Sequence, residues 1–546
     1  MGKTEWLACT ALTAALVYTF PQYLTVDRVS RSAIRFLLLD ISLFSFWRMF
    51  IYPFFFSPLR HLPGPVSYNF LWGNGTSQFS KPPGYEIQQF VKDVPNDGLL
   101  RIRTFANIER LIPTSPLVLK SILADNSYDY EKPSGVRKFL TLILGEGPIM
   151  SEGSLHKFQR KHLLPAFQVK HIRELYPVFW SKALGLVEGI TQEITETSTL
   201  EKRNESRIAF NEWAARVTLD IIGVAGVGRD FGAPRNPDDP LVRDYNELLE
   251  PTISKGLYFA ANIFGPQDLI QKLPFKYSKV IAETAGNLRT FCREVIDQKR
   301  QAVREGKTVD GMDILSILVR SNDFSDEDLE DQLLTFLAAG HETTSSALTW
   351  AIYLLAIHPD WQTKLRQEIH AAIPSPSDPN STEPNHTIIN SLPILNAVIQ
   401  ETLRLYPTVP LSVRTSTRPT SITLPDSPPL HIPLGTRMLI SPLAINRSPE
   451  LWGPKADEWS PERWLEDGCA NTGGADSNFA NMTFFHGERS CIGKGFAISE
   501  FKCLLAGVVG GLEWEMWDRG EVVRVGGVVT TKPVGGMNVR MRKVGW

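Results

Sequence analysis

A chain of 546 residues carries 57 Lys+Arg against 59 Asp+Glu, a net charge of −2, with 21% charged, 43% hydrophobic and 10% aromatic residues, the balance of an ordinary globular protein. No basic excess or long like-charge run offers the Lys/Arg stripe that displaces counterions from phosphates, so nucleic acid is set aside as a partner. Five cysteines, Cys9, Cys292, Cys469, Cys491 and Cys503, are odd in number, scattered and without a C-x-x-C pair. This argues against a disulfide scaffold and a zinc ribbon, and reduced thiols fit a domain facing the cytosol.

Residues 6–20 (WLACTALTAALVYTF) form an uncharged apolar run ended by Pro21, and residues 34–56 form a second, interrupted by Arg35, Asp40 and Arg48. The first is short of the ~20 residues that span a bilayer, and a cleaved signal core is its other reading. The unpaired cysteines argue against export. The second run is long enough to span but carries three charges. It either pairs with the first as a hairpin or lies in the interface with its Phe and Trp side chains at headgroup depth. Residues 1–56 are therefore expected to be a membrane-anchor region. Arg28, Arg31 and Arg35 give no clean loop asymmetry, so one or two passes stay open. SPLRHLPGP, 57–65, fixes torsions at Pro58, Pro63 and Pro65 and permits a sharp redirection at Gly64, which predicts a stiff hinge. An ordinary Pro-rich linker predicts nearly the same.

Length alone allows three or four domains of about 150 residues. From 66 to 546, however, no long low-complexity spacer or internal repeat divides the chain, and one large domain is expected. Helical periods cover 176–196, 280–305, 326–357, 361–372 and 393–405. Loop composition marks 194–207, 373–386 and 466–480. Short β-type runs sit at 99–104, 430–440 and 521–542, so the fold class is mainly α with small β-sheets. GVAGVGRDFG, 223–232, fails as a dinucleotide fingerprint, because Phe231 stands where the third glycine is required and no clear strand precedes it.

Three later segments carry chemistry. TFLAAGHETTSSALTW, 335–350, lies in a long helical period whose start offers Ser325 and Asp328 as a capping pair. Ala339 and Gly340 remove side-chain bulk where a ligand could approach, and Glu342 and Thr343 set an acid beside a hydroxyl. Standing alone, this also reads as a polar turn on an amphipathic helix. ETLRLYP puts Glu401 and Arg404 on one face of a helix that stops before Pro407; as a surface ion pair it is worth little. In FFHGERSCIGKGFA, 484–497, Arg489 is a cation near Cys491, and Gly487 and Gly493 let the backbone turn around the sulfur. The apolar period after Cys491 places it at a helix N-terminus, whose dipole and free amides favour a thiolate over a thiol of pKa near ~8.5. Cys503, among apolar neighbours, reads as a core residue.

The spacing F-x-x-G-x-R-x-C-x-G, filled by Phe484, Gly487, Arg489, Cys491 and Gly493, resembles the haem-binding loop of the cytochrome P-450 family. The resemblance covers roughly residues 60–546 and implies the mostly helical fold of that family. It makes Cys491 the axial ligand of haem b iron, a cysteinate that pushes electron density to favour O–O cleavage. The 335–350 segment resembles the family's A/G-G-x-D/E-T-T motif, which implies that Thr343 bonds iron-bound dioxygen and Glu342 joins the proton relay. Isomerases and dehydratases of the family often lack that pair. Glu401 and Arg404 resemble the E-x-x-R pair, completed by Arg463 of PERW, with Trp464 in place of the usual Phe. The implied role is structural, around the cysteine loop, with the second arginine offsetting desolvation of a buried pair. GSLHKFQRKHLLPAF, 153–167, resembles the W-x-x-x-R segment with His156 for Trp and Arg160 kept. Arg414 matches the arginine after the E-x-x-R helix. Arg160, Arg414, Arg489 and His156 are thus the implied propionate contacts, His156 donating from its ring nitrogen.

The resemblance further implies O₂, electrons from NADPH through a separate cytochrome reductase, and a haem domain on the cytosolic side of the endoplasmic reticulum membrane. Apolar residues in the family's pocket segments, namely Phe259, Ile263, Phe264, Leu333, Phe336, Leu337, Val409 and Leu411, imply a lipophilic small-molecule substrate. Fatty acids, terpenoids, polyketides and alkaloids all stay open. The H-x-x-x-R and GHETTSSALTW style is similar to eukaryotic microsomal members, notably fungal ones of secondary metabolism, so hydroxylation or epoxidation is expected there. Alternatives are a fatty-acid or xenobiotic hydroxylase, a haem-thiolate isomerase or dehydratase, and a non-catalytic haem- or lipid-binding membrane protein. Five sequons, at Asn74, Asn204, Asn380, Asn385 and Asn481, matter only in a lumen.

Overall fold

A computed structural model describes residues 2–19, 29–67, 69–75, 82–201, 206–234, 253–265, 270–271, 275–306, 313–378, 381–425, 427–520, 522–527 and 529–546. The sequons at Asn204 and Asn380, Arg28, and the side chains of Arg31, Ile263 and Phe264 lie outside the described set. The chain divides into two units, Met1–Glu131 with Val413–Ile440, and Lys132–Ser412 with Ser441–Trp546.

In the first unit the apolar runs form helices Gly2–Thr19 and Val29–Phe46, followed by a wide helical stretch Trp47–Phe56. The first two pair as a hairpin. Asp40, one of the charges interrupting the second run, is buried and accepts hydrogen bonds from Thr10 and Thr13, each at 3.3 Å, and the rings of Trp6 and Phe44 lie 4.6 Å apart. A buried carboxylate needs such donors. Leu7, Leu12, Ile34, Leu37, Leu38 and Ile41 stay exposed. Among the described residues no helix is long and apolar enough to cross a membrane, and neither the 6–20 nor the 34–56 run forms one.

The 57–65 stretch, expected as a stiff hinge, is fastened along a sheet edge. The Arg101 N–H donates to the Pro63 carbonyl at 2.8 Å, and Ser57 bonds Glu109 at 2.8 Å. Gly64 passes so close to Arg101 that a Cβ would sit 1.9 Å from its carbonyl oxygen, so glycine serves a close approach there. The sheet runs Leu99–Arg103, Glu109–Pro113, Arg437–Ile440, Ser412–Ser416, Tyr130–Glu131, with Arg101 opposite Leu111. Thr420–Ile422 and Leu430–Ile432 form a hairpin beside it in sequence.

The second unit is built from long helices, of which seven organise the site: α1 Gly153–Leu163, α2 Tyr176–Glu201, α3 Phe210–Ile222, α4 Lys276–Arg304, α5 Asp326–Ile357, α6 Pro393–Leu405 and α7 Lys494–Gly511. The capping pair at the start of α5 forms as expected, with the Asp328 N–H donating to Ser325 Oγ at 3.1 Å and the Ser325 N–H returning to Asp328 at 3.2 Å. Asp326, Glu327 and Asp328 in its first turn face the positive end of the helix dipole. By contrast α2 runs through part of the 194–207 stretch expected as a loop. Thr191 and Thr195 turn their hydroxyls back to the carbonyls of Val187 and Thr191, at 2.7 and 2.8 Å, so their polarity is absorbed inside the helix.

Helix α3 packs on α5 through Thr218, whose hydroxyl donates to the His341 carbonyl at 3.1 Å. The Ile222 side chain fills the space that a Cβ on Gly340 would enter at 3.0 Å. Helix α7 lies on α2, where Gly507 meets Ala183 and Tyr176 donates to Ser499 at 3.0 Å. Trp180, Trp350, Phe179, Phe210 and Phe501 fill the core between these helices. The 223–232 glycines belong to a turn after α3, where Gly223 makes room for the Phe231 ring. A three-stranded antiparallel sheet with Asn538–Lys543 at its centre and a hairpin of Val525–Gly526 and Lys532–Pro533 end the chain.

Candidate active site

The 484–493 loop closes on itself before α7. The Cys491 N–H donates to the Phe484 carbonyl at 2.9 Å, and the Ser490 N–H to Gly487 at 3.1 Å. Gly487 sits at φ 73°, a conformation that glycine adopts without strain, whereas Phe485 holds φ 54° as a bulky residue. Gly493 caps α7 at φ −86°, so its expected role in a tight turn is not a matter of torsion. What Gly493 contributes is its N–H, which bonds the Cys491 sulfur. Desolvation pushes the Cys491 thiol above its ordinary range, while that N–H and the charges of Arg160 and Lys494 pull it back toward the thiolate. Cys491 is the exposed cysteine among five. Cys9, Cys292 and Cys503 are buried, and burial raises the Cys292 thiol to about 12 and the Cys503 thiol further.

Around this loop Glu401 and Arg404 are fully buried, and Arg463 is partly exposed. Arg404 grips both Glu401 oxygens at 2.8 and 2.7 Å, and Arg463 adds a bond at 3.2 Å. Arg404 also donates to the carbonyls of Asn446, Ala456 and Glu458 at 2.6, 2.7 and 3.0 Å. The Ser460 N–H and the Trp464 indole N–H complete the carboxylate at 3.0 and 2.9 Å. Burial opposes ionisation of Glu401, yet these bonds and the two arginines hold its carboxyl below the ordinary carboxylate range. Trp464 is more than an aromatic exchange for Phe, because its ring nitrogen does bonding that Phe cannot.

On α5, residues 332–350 are buried except for a window at Ala338, Ala339, Gly340, Glu342 and Thr343. Thr343 returns its hydroxyl to the Ala339 carbonyl at 2.8 Å. Glu342 turns elsewhere, to Thr530 Oγ1 and Lys532 Nζ, both at 2.8 Å. His341 is buried, and desolvation lowers its pKa to about 4, so it is neutral. Leu333 and Leu337 are 0% exposed and belong to the packed core, so they do not form an open substrate wall. Phe336 is likewise buried, Phe259 stacks edge-on against Phe139 at 4.4 Å, and Val409 and Leu411 are half-buried.

The cytochrome P-450 family profile matches residues 106–534. The chain belongs to the cytochrome P-450 family. It is similar to the cytochrome P-450 monooxygenase sphH of Aspergillus fumigatus, 40% identical over 92% of this chain and 91% of that protein. The monooxygenase ALT8 of Alternaria alternata is 36% identical over 92% of both chains. FUM15 of Gibberella moniliformis is 35% identical over 91% of this chain and 90% of its own. The protein is thus a haem-thiolate monooxygenase of the fungal P-450 type, using haem b, O₂ and electrons from NADPH through a reductase.

The residues present fit a P-450 haem. Cys491 is an exposed residue just ahead of the N-terminus of α7, and Phe484 beside it is half-buried with Lys494 Nζ 5.7 Å from its ring centre. The expected anchoring cations gather only in part. Arg160 bonds the Ser490 carbonyl and, at 3.0 Å, its hydroxyl, which fastens α1 to the cysteine loop. Arg489 is paired with Glu152, a partner not foreseen from the sequence, and both side chains are 5% exposed. His156 is buried on α1. Arg414 lies in the first unit, buried on the Ser412–Ser416 strand with a bond to the Val413 carbonyl at 3.0 Å. Lys532 and Thr530 were also missed as partners of Glu342; the only sequence signal was their place in the C-terminal turn.

Proposed function

We propose that this enzyme inserts one atom of O₂, by hydroxylation or epoxidation, into a lipophilic small molecule of fungal secondary metabolism. The observation that carries this reading is the window in α5, where Ala339 and Thr343 open within the otherwise buried 332–350 stretch, in the unit that also presents Cys491. Haem b supplies the oxygen-activating redox chemistry when bound, with two electrons and two protons consumed per O₂. Cys491 would hold the iron as thiolate, with the Gly493 N–H, Arg160 and Lys494 opposing the desolvation that raises its thiol. The Thr343 hydroxyl gives up its bond to Ala339 and donates to dioxygen, and Glu342 relays protons. Arg160, Arg489 and His156 of the second unit would bind the propionates. An acid beside a hydroxyl in that window supports oxygen chemistry over isomerisation or dehydration, which need no proton relay to O₂.

Substrate class is open to a direct measurement. Titrating the purified holoenzyme with fatty acids, terpenoids, polyketides and alkaloids is expected to give a high-spin spectral shift with apolar compounds of at least one class. A response confined to small charged compounds would overturn the lipophilic reading.

We place the enzyme at the endoplasmic reticulum membrane with its haem domain on the cytosolic side. The exposed Leu7, Leu12, Ile34, Leu37, Leu38 and Ile41 of the N-terminal hairpin support attachment to the bilayer by apolar burial. Removing residues 2–56 is expected to move the protein from the microsomal pellet to the soluble fraction. A full-length protein already soluble at high salt would contradict attachment.

A further inference from the structure

The face of α5 that carries Glu342 is lined differently from the face that carries Thr343. Glu342, Ser345, Ser346 and Thr349 recur at helical spacing along a cleft of about 880 Å³, whose other walls are Asn211, Glu212 and Arg216 of α3 and the C-terminal hairpin. That hairpin is fixed at three successive residues. Thr530 Oγ1 donates to Glu342 Oε1 at 2.8 Å, Ser346 Oγ donates to the Thr531 carbonyl at 2.5 Å while the Thr531 N–H reaches Thr408 at 2.8 Å, and Lys532 Nζ meets Glu342 Oε1 at 2.8 Å. The turn is possible because Gly527 holds φ 104°, with its Cβ position 1.9 Å from the Thr530 carbonyl oxygen.

Both bonds to the carboxylate land on Oε1, and neither involves Oε2. We propose that Lys532 is a positioning residue for proton delivery: with Thr530 it holds the Glu342 side chain by Oε1 at the cleft, leaving Oε2 to carry protons from cleft water inward. This rests on the reading of Glu342 as the relay. In each passage a protonated cleft water gives one proton to Oε2 and is left as neutral water, and a proton then leaves Oε2 toward the Thr343 hydroxyl side as the carboxylate is restored. No electron moves in this step; the electrons arrive from NADPH through the reductase. Among the described residues the other charged or titratable groups facing the cleft are Glu212 and Arg216, which pair with each other at 3.0 Å, and His341, which is neutral. Lys532 is therefore the cation that the cleft gives to Glu342.

The test uses the full-length holoenzyme with a separate NADPH-dependent reductase and no added substrate. It compares wild type, Lys532→Met, Lys532→Arg and Glu342→Gln. Two quantities are read: peroxide released per NADPH oxidised, in H₂O and in D₂O, and deuterium uptake by the 525–534 amides. Lys532→Met is expected to raise the peroxide share about twofold or more and to enlarge the solvent isotope effect, as for a lost proton-transfer partner. Lys532→Arg restores both. Hairpin exchange quickens about fivefold in Lys532→Met and in Glu342→Gln, which each remove the same contact. A Lys532→Met enzyme with wild-type peroxide share and hairpin exchange overturns the proposal, as does an arginine variant that behaves like methionine. If Glu342→Gln itself leaves the peroxide share unchanged, the relay reading fails first.

Discussion

Replacing Cys491 with serine is expected to abolish the thiolate-type spectrum of the reduced, CO-bound enzyme and all NADPH-dependent oxygenation. The reason lies in the charge. Burial raises the Cys491 thiol, the Gly493 N–H, Arg160 and Lys494 oppose that rise, and the sulfur anion they support is what would push electron density to the iron. A serine hydroxyl stays protonated at neutral pH and is a poor donor to iron, so the same stabilising groups have nothing to act on. Cys503→Ala is the internal control. Its thiol is fully buried against the core of α7, so the change leaves a small cavity and a modest loss of stability with the spectrum intact. A thiolate-type spectrum retained by Cys491→Ser would move the ligand elsewhere.

The second large effect is on stability. Glu401→Gln leaves the Arg404 guanidinium, 0% exposed, without its counter-charge, and breaking a buried pair by removing one partner costs about 3–5 kcal/mol. Against a net stability of about 5–15 kcal/mol this is enough to lose folded, haem-bound protein at growth temperature. Trp464→Phe removes one bond to the charged carboxylate while keeping the packing, and about 1.5–3 kcal/mol is expected. The pH dependence has a definite sign. The Glu401 carboxyl is held below its ordinary value near ~4.3, so its contribution is fully present above that value and lost as pH falls through the lower folded one. Following loss of the CO spectrum with temperature from neutral pH down to about pH 3, below the ordinary carboxylate value of ~4.3, should therefore show an acid limb in wild type that Glu401→Gln lacks. Equal acid sensitivity in the two would contradict the assignment.

Local rules made much of this fold readable. Helix α5 was expected over 326–357, where the structure has it, because an apolar period, a capping pair and first-turn acids all agree. The helix at 393–405 was equally legible, since its helical period is clear and Pro407 forbids its continuation. What failed depended on contacts far apart in sequence. Glu342 meets partners 188 and 190 positions away, on a turn whose path no local pattern sets. Gly340 looked like space for a ligand, yet its absent Cβ accommodates Ile222 of α3. Leu333 and Leu337 are apolar for the core rather than for a substrate, a distinction that only the direction of the side chains decides. The 57–65 stretch has linker composition, and its attachment to Arg101 is made by backbone groups that composition does not encode.

Turnover under ¹⁸O₂ tests the central assignment most directly, using the compound with the strongest spectral shift, NADPH and a separate reductase. One ¹⁸O atom in each product molecule, no reaction without NADPH, and loss of both product and label in Cys491→Ser are expected. A product formed at the same rate without O₂ or NADPH, and carrying no label, would make the protein an isomerase or dehydratase and contradict the roles given to Glu342 and Thr343.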